Sequence, residues 1–438
     1  MNTNDIKNKI KNKINNKSKN IEKLSILELK SLKNQAKILT DKRMKRKCKY
    51  KIWDIVCVAL LAVISNCDEW EEIEMFAVKN KKWLRKFLLL TGGIPSAQTY
   101  ERVISLLEPN EINKICIEFS NILTETNKGK KEMYHFDGKV ERGSARKDGE
   151  IKPLNVLNVF SSKYGICVEQ EMIEEKTNEI TAIPRIIERL NLKGVVCTWD
   201  ALNTQKENIK AVIEKGGDYC VALKGNQGNF YTDLQNYFDD DKLLIISSGY
   251  EGSYSLTKEK SHNQIITYEY YQTEKVNWYY EKDKWEKLRS IGMVRKTIEK
   301  DKGEKVIEKR YYISSLLRDI TTFSEAIRGH WEVENKLHWQ MDYTFKCDKN
   351  QTVNKKALFN LQIIKKFALN ILNLVKEDYK RSLKKIRFFV SLGAEEEIHN
   401  IFYLLHRKKQ ISRNIEKETV EIFKILCNFD TSTISKVK

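Results

Sequence analysis

The order in which hydrophobic periods follow one another after Gly129 limits the fold more than any other feature of this chain. EMYHFDGKV, KPLNVLNVFSS and YGICVEQEMI read as strands. A helix is expected from about Ala182 to Leu190, with Thr181 as its cap and Pro184 in its first turn. A buried strand GVVCTW, a helix from about Thr204 to Lys215 and a strand DYCVAL come next. Three strands followed by helix, strand, helix, strand bury their apolar faces as a mixed sheet with helices on its faces, which is the α/β class.

That order gives two carboxylates a common address. Asp200 ends the GVVCTW strand, where α/β sheets place working residues, and Asp137 lies on the first strand. If the first and fourth strands are neighbours, the two face one another. The competing reading makes Asp137-Gly138 a hairpin turn. Lys224-Gly225-Asn226-Gln227 follows the last strand as a glycine-containing turn where backbone NH groups and a lysine can meet phosphate. From about Lys242 to Ser315 the chain reads as further strands, rich in Tyr, Thr, Val and Ile.

The stretch RGHWEVENKLHWQMDYTFKCD, Arg328 to Asp348, concentrates histidine, tryptophan and carboxylate in a few turns. On a helix His330, Glu334, His338 and Asp342 form one polar row, and Val333, Leu337 and Met341 form an adjoining apolar flank. A solvated charged face is the simpler account of that row until carboxylates from elsewhere join it. Past Asn350, KKALFNLQIIKKFALNILNLVK reads as an amphipathic helix with a basic face, and SLKKIRFF continues the positive charge.

Before Gly129, from Leu24 to about Lys128, apolar residues recur at helical spacing, broken once at Gly92, Gly93 and Pro95, with Ser96 as cap for the helix that follows. The net charge of +19 calls for a polyanionic partner. Residues 1–50 hold 16 Lys and Arg against 4 Asp and Glu, so this arm supplies +12 of it. It suits nucleic acid or a solubilising tail. Nine cysteines without a C-x-x-C pair indicate neither a disulfide framework nor a structural zinc site. The apolar run Ile55 to Ile64 is too short to span a bilayer and no signal peptide opens the chain, so a cytoplasmic location without membrane is expected.

Carboxylates from a first strand, a fourth strand and a later helix are what a two-metal phosphoryl-transfer site requires, and oxygen ligands suit Mg²⁺ or Mn²⁺. Asp137-Gly138-Lys139 with Arg142-Gly143-Ser144, KTNEITAIP, TWDALNTQKE, GGDYCVALKGNQ and RGHWEVENKLHWQMDYTF resemble, in this order, the DDE transposases of bacterial insertion sequences, closest to the ISAs-one family. DEWEEIEMFAVKNKKWLRKFL with GIPSAQTYERVISLL resembles that family's N-terminal associated domain.

The resemblance covers roughly residues 40 to 400. It implies an RNase H-like catalytic core in which Asp137, Asp200 and Glu334 bind metal, with Glu332 as the competing third position. It also implies supporting or DNA-binding roles for Lys139, Arg142, Lys224, Gln227, Arg328, His330 and His338. Two departures stand out: Cys347 where the family has an acidic residue, and His262-Asn263-Gln264-Ile265-Ile266 where it has a pattern like His-Gly-Arg-Ile-Glu. The expected organisation is a basic arm 1–50, a helical DNA-binding domain 51–128, a catalytic domain 130–375 with a β-rich insertion at about 242–315, and a basic helical region 376–438. The expected activity is hydrolysis of phosphodiesters at transposon ends and strand transfer into target DNA, with two Mg²⁺ or Mn²⁺ ions and a homodimer pairing the inverted repeats. The alternative is a non-catalytic DNA-binding protein derived from such an enzyme. A zinc hydrolase using His330 and His338 is weak, because their spacing does not match H-E-x-x-H.

Overall fold

The computed structural model describes residues 3–124, 131–145, 152–173, 178–261, 264–300 and 304–429, with side chains from 18 to 118 in the first segment and to 411 in the last. Lys176 and Thr177 of the KTNEITAIP motif, and His262 and Asn263, lie outside the described residues. The chain forms two compact units, Lys130–Gln340 and Met1–Gly129 with Met341–Lys438.

This division differs from the four segments expected. Residues from 341 to about 375 belong with the N-terminal helices rather than with the sheet. The reason is the helix Lys355–Tyr379, in which every residue from Ala357 to Leu372 is buried, so that it forms the core of the helical unit. It packs on Ile52–Ile64 and Pro109–Thr124. It is long and apolar enough to cross a bilayer, but most of it is buried inside the protein. The basic face expected for it is absent: Lys365 and Lys366 are buried, and the Lys365 ammonium donates to the Phe345 carbonyl at 2.9 Å.

The N-terminal segment is likewise not a free arm where its side chains are described. Thr3–Ala36 is a helix that packs on Ala394–Phe429. Leu29 and Leu32 are buried there, and the buried Glu28 accepts hydrogen bonds from Lys409 and, at 2.9 Å, the His406 ring. Nor does SLKKIRFF simply display charge. Arg387 is fully buried, stacks 4.1 Å above the Phe345 ring, bonds the Val63 carbonyl at 2.7 Å and pairs with Asp68 at 2.7 Å. Removing Asp68 from such a pair would cost about 3–5 kcal/mol, since it strands a buried charge.

The second unit is built on one nine-stranded sheet. Its strands are β1 Glu132–Glu141, β2 Leu154–Ser161, β3 Ile166–Ile173, β4 Val195–Trp199, β5 Asp218–Leu223, β6 Ser253–Ser261, β7 Gln264–Thr273, β8 Ser290–Glu299 and β9 Lys305–Ser314, in the order β3-β2-β1-β4-β5-β9-β8-β7-β6. β4 runs parallel to both β1 and β5; all other pairs are antiparallel. The α/β class expected from the order of periods is what forms. The inserted strands extend this same sheet, because β9 pairs with β5 from Cys220↔Ser314 to Leu223↔Tyr311.

Two local expectations change. The helix after β3 is Glu179–Arg189, and its cap is Asn178, whose side chain accepts from the Thr181 NH at 3.2 Å. Pro184 therefore sits beyond the first turn. Asp240–Ser247 is helical where strand was expected from about Lys242: Asp239 caps it at the Lys242 NH, 2.7 Å away, and Leu243 and Ile246 bury one face.

Alternation along β1 and β4 sorts their residues between the two faces of the sheet. Phe136 and Trp199 meet edge to face at 5.9 Å in a core closed by Ile183, Ile186 and Ile187 of the Glu179–Arg189 helix. Met133 and Val196 face the other way, against Phe323, Ala326 and Ile327 of the helix Ile320–Val333.

Candidate active site

Asp137 lies in the middle of β1, paired with Asn158 of β2, so Asp137-Gly138 is strand and not a turn. The β1–β4 register ends at Phe136↔Trp199, which brings Asp137 and Asp200 out at the same level of two neighbouring parallel strands. His135 and Thr198, two residues earlier on each strand, share the face of these carboxylates. Both are buried under the helix Ile320–Val333. The helix can approach this closely because it presents Gly329: a Cβ there would lie 2.5 Å from His135 Nε2.

That helix starts at Asp319, whose carboxylate accepts from the Thr321 and Thr322 NH groups, both at 3.1 Å. At Glu334 it widens into a π-helical turn, Glu334–His338, a feature that often accompanies functional sites. The regular row expected from His330 to His338 therefore splits. The apolar flank behaves as expected, since Val333, Leu337 and Met341 are all buried.

His338 lies between two carboxylates, its Nδ1 3.3 Å from Glu334 and 3.4 Å from Asp137. With both carboxylates ionised, a proton on Nδ1 lets His338 donate to them and hold the two together. Ligand atoms of Asp137, Glu334 and His338 all lie within 4.8 Å of one another. Asp200 is not part of that group. It pairs instead with His330 Nε2 at 3.5 Å.

Behind His330 runs a buried relay. Its Nδ1 is 3.2 Å from the Thr198 hydroxyl, and the same hydroxyl is 2.7 Å from His135 Nδ1. Burial holds His135 well below the usual histidine range. Neutral His135 can then donate from Nδ1 to Thr198, Thr198 to His330 Nδ1, and His330 Nε2–H to Asp200.

The two aspartates are shifted in opposite directions. Burial raises Asp137 to about 7, against the counter-pull of His330 and with further push from Asp200, Glu179 and Glu334. Asp200 is lowered by its hydrogen bond from His330, with Lys224 and Arg310 adding to the effect. A cavity of about 380 Å³ opens beside it, lined by Asp200, Lys224, Tyr231, Arg310, His330 and Trp331 among others. The Arg310 guanidinium stacks 5.2 Å above the Trp331 ring. A larger cavity, about 1520 Å³, lies in the helical unit and includes none of the expected site residues.

The other expected site residues divide. Gln227 donates to the Thr204 carbonyl at 2.5 Å and its neighbour Asn226 to the Ala201 carbonyl at 3.0 Å, so the turn after β5 braces the turn after Asp200. Lys224 is exposed at that turn. Lys139 is half-buried on the Asp137 face of β1, and Arg142 is exposed just past the end of the strand. Arg328 turns away from the carboxylates: it pairs with Glu259 and stacks 4.7 Å above Tyr268. Glu332 pairs with Lys336 at 2.5 Å, whereas Glu334 points to His338. Sequence reasoning missed His135, Thr198, Glu179 and Asn203. Strand alternation was the available signal for the first two, each two residues before an aspartate.

Residues 111–371 match the family described as "Transposase DDE domain", and residues 35–120 match one described as "DDE_Tnp_1-associated". The chain is 33% identical to "Putative transposase YncI" of Escherichia coli O157:H7, over 84% of this chain and 93% of that one. It is 31% identical to "H repeat-associated putative transposase YhhI" of Escherichia coli strain K12, over 82% and 95%. A cryo-electron-microscopy structure of the piggyBac transposase synaptic complex with hairpin DNA aligns with 87% of this chain and 81% of that chain, at 11% identity and a TM-score of 0.38, too low to argue from. The family match spans more than half of the chain and the relatives most of it, and on that ground the chain belongs to the DDE transposase family.

Proposed function

We propose that this protein is the transposase of a bacterial insertion sequence of the ISAs-one type, hydrolysing phosphodiesters at the element's ends and joining the freed 3′ ends to target DNA, each 3′ hydroxyl attacking a target phosphodiester and displacing its 3′ oxygen. The observation that carries the reading is the convergence, in a chain of this family, of strand-borne Asp137 with helix-borne Glu334 and His338, beside Asp200. The donor set fits a hard divalent cation. Its oxygens are carboxylates, and Asp137 is buried among negative groups whose mutual repulsion a cation would relieve.

Asp137, Asp200 and Glu334 would hold two Mg²⁺ or Mn²⁺ ions; when bound, such ions polarise the scissile phosphate and activate the attacking oxygen. The protein's own groups do the rest. His338 fixes the mutual orientation of Glu334 and Asp137, and the relay through His330 fixes Asp200. Lys224 and Arg310, near Asp200, favour an approaching phosphate. Two copies would pair the terminal inverted repeats of double-stranded DNA, with the helical unit contributing to their recognition. The work would be done in the cytoplasm, on the nucleoid.

The test is strand cleavage of a DNA fragment carrying the element's own end, with Mg²⁺ or Mn²⁺. Metal-dependent nicking at the end, lost in Asp137→Ala, Asp200→Ala and Glu334→Ala but kept in Glu332→Ala, supports the reading. Specific DNA binding without cleavage by the unaltered protein would overturn it.

A further inference from the structure

Glu179 approaches the site from behind. It is the first residue of its helix, just after the cap Asn178, and its carboxylate lies against the backbone of β1 immediately past Asp137. A Cβ on Gly138 would come within 1.9 Å of Glu179 Oε1 and 2.6 Å of its Cδ, so only glycine leaves room for the carboxylate there. Gly138 shares the face of Phe136, opposite to that of Asp137. Glu179 therefore backs the strand and is not among the groups that could bind the ion with Asp137.

Its other oxygen reaches the neighbouring strand's turn. Glu179 Oε2 accepts from Asn203 Nδ2 at 2.6 Å. Asn203 is buried and closes the turn that begins at Asp200, its NH donating to the Asp200 carbonyl at 2.9 Å. Its own carbonyl accepts from Asn208 Nδ2 at 2.9 Å. One carboxylate thus touches both segments that carry the aspartates, on the residue after Asp137 and three residues after Asp200.

We propose that Glu179 is a positioning residue that sets the spacing between Asp137 and Asp200, its carboxylate packing against Gly138 while it accepts from Asn203 in the turn after Asp200. The inference rests on the reading of these aspartates as metal-binding. The clamp is a matter of shape and hydrogen bonding. Glutamine, whose carbonyl oxygen can also accept from Asn203, preserves it; alanine does not. Glycine at 138 and glutamate at 179 form a matched pair, because a side chain at 138 is harmful only while the carboxylate occupies the space.

The experiment measures Mn²⁺ affinity by electron paramagnetic resonance of the free ion, together with metal-dependent cleavage of end DNA, on the full chain. Thermal unfolding of each variant checks its fold. Glu179→Ala and Asn203→Ala should each lose roughly tenfold to a hundredfold in Mn²⁺ affinity and cleavage, as outer partners of metal ligands do. The double variant should lose no more than either alone, the mark of two groups acting as one. Glu179→Gln should stay close to the unaltered protein. Gly138→Ala should lose as much as Glu179→Ala, and Gly138→Ala combined with Glu179→Ala no more than Glu179→Ala alone.

Unaltered Mn²⁺ affinity in Glu179→Ala overturns the proposal, as do equal losses in the Gln and Ala variants or losses that multiply in the doubles. Should Gly138→Ala not fold, Asn203→Ala and Glu179→Gln decide the matter. An unaltered protein that binds Mn²⁺ through Asp137 but never cuts DNA defeats the transposase reading and leaves the clamp to be judged by affinity alone. One that binds no Mn²⁺ defeats both.

Discussion

Asp137 and Asp200 sit at the same level of adjacent parallel strands, yet the protein surrounds them in opposite ways. Around Asp137 are burial and other carboxylates, which favour the protonated form up to about 7. Around Asp200 are His330, Lys224 and Arg310, which favour the ionised form. Equal placement by the backbone does not give equal chemistry, because the surroundings differ: a strand interior beside Glu179 and Glu334 in one case, an open cavity with cationic walls in the other. The consequence is that, without metal, protonation of Asp137 competes with a divalent cation up to about pH 7.

The largest effect that could break this contrast is on cleavage itself. Asp137→Asn should reduce metal-dependent cleavage by on the order of a thousandfold or more, about 4 kcal/mol of barrier, while making the metal-free protein more stable at pH 8. Asp137 has its folded pKa raised, so the folded form binds the extra proton and the stability of the metal-free protein falls as pH rises from about 4 through about 7. The asparagine variant should flatten that slope and gain about 1–3 kcal/mol at pH 8 in chemical denaturation, a range discounted for the partial exposure of the group. A variant less stable than the parent at pH 8 would contradict the burial argument. The same proton predicts that apparent Mn²⁺ affinity weakens by up to about tenfold per unit as pH falls below about 7. Asp200, with its folded pKa lowered, loses its contribution only at pH values below the ordinary aspartate range.

A smaller effect tests the relay. Thr198→Val keeps shape but removes the hydroxyl between His135 and His330. Cleavage should fall by roughly tenfold to a hundredfold, and Thr198→Ser should restore most of it. Steady-state rates with both metals would show this as a loss in kcat with little change in DNA affinity.

The smallest change is expected at the cavity mouth. Lys224→Ala should weaken binding of end DNA by only a few-fold and shave roughly one from the magnitude of the log-affinity against log-salt slope, as one lost phosphate contact would. A shift in titration curves at several salt concentrations is the measurement, and an unchanged slope would remove Lys224 from the DNA path.

Much of this molecule is legible in local pattern. Alternation and apolar runs gave β1 through β5 and their helices, because period and burial are written residue by residue along those segments. The same alternation places His135 with Asp137 and Thr198 with Asp200, a relation available in the sequence although not drawn from it. Segments whose environment is set by distant neighbours are not legible in this way. Lys365 and Arg387 look like surface charges in any window, and only the packing of several helices around them shows that they are interior groups satisfied by the Phe345 carbonyl, the Val63 carbonyl and Asp68.

The sequence by itself determined the α/β order, Asp137 on the first strand, Asp200 at the end of the fourth and the helical stretch bearing Glu334, since each depends on periodicity and residue type within a few turns or strands. Tertiary structure alone decided which carboxylates meet. The β1–β4 register sets Asp137 level with Asp200, the π-helical turn directs Glu334 toward His338 while Glu332 pairs with Lys336, and Gly138 admits Glu179 from a helix 41 residues further on. Contacts of that kind depend on chain segments far apart in sequence arriving at one place, and no local pattern records the arrival.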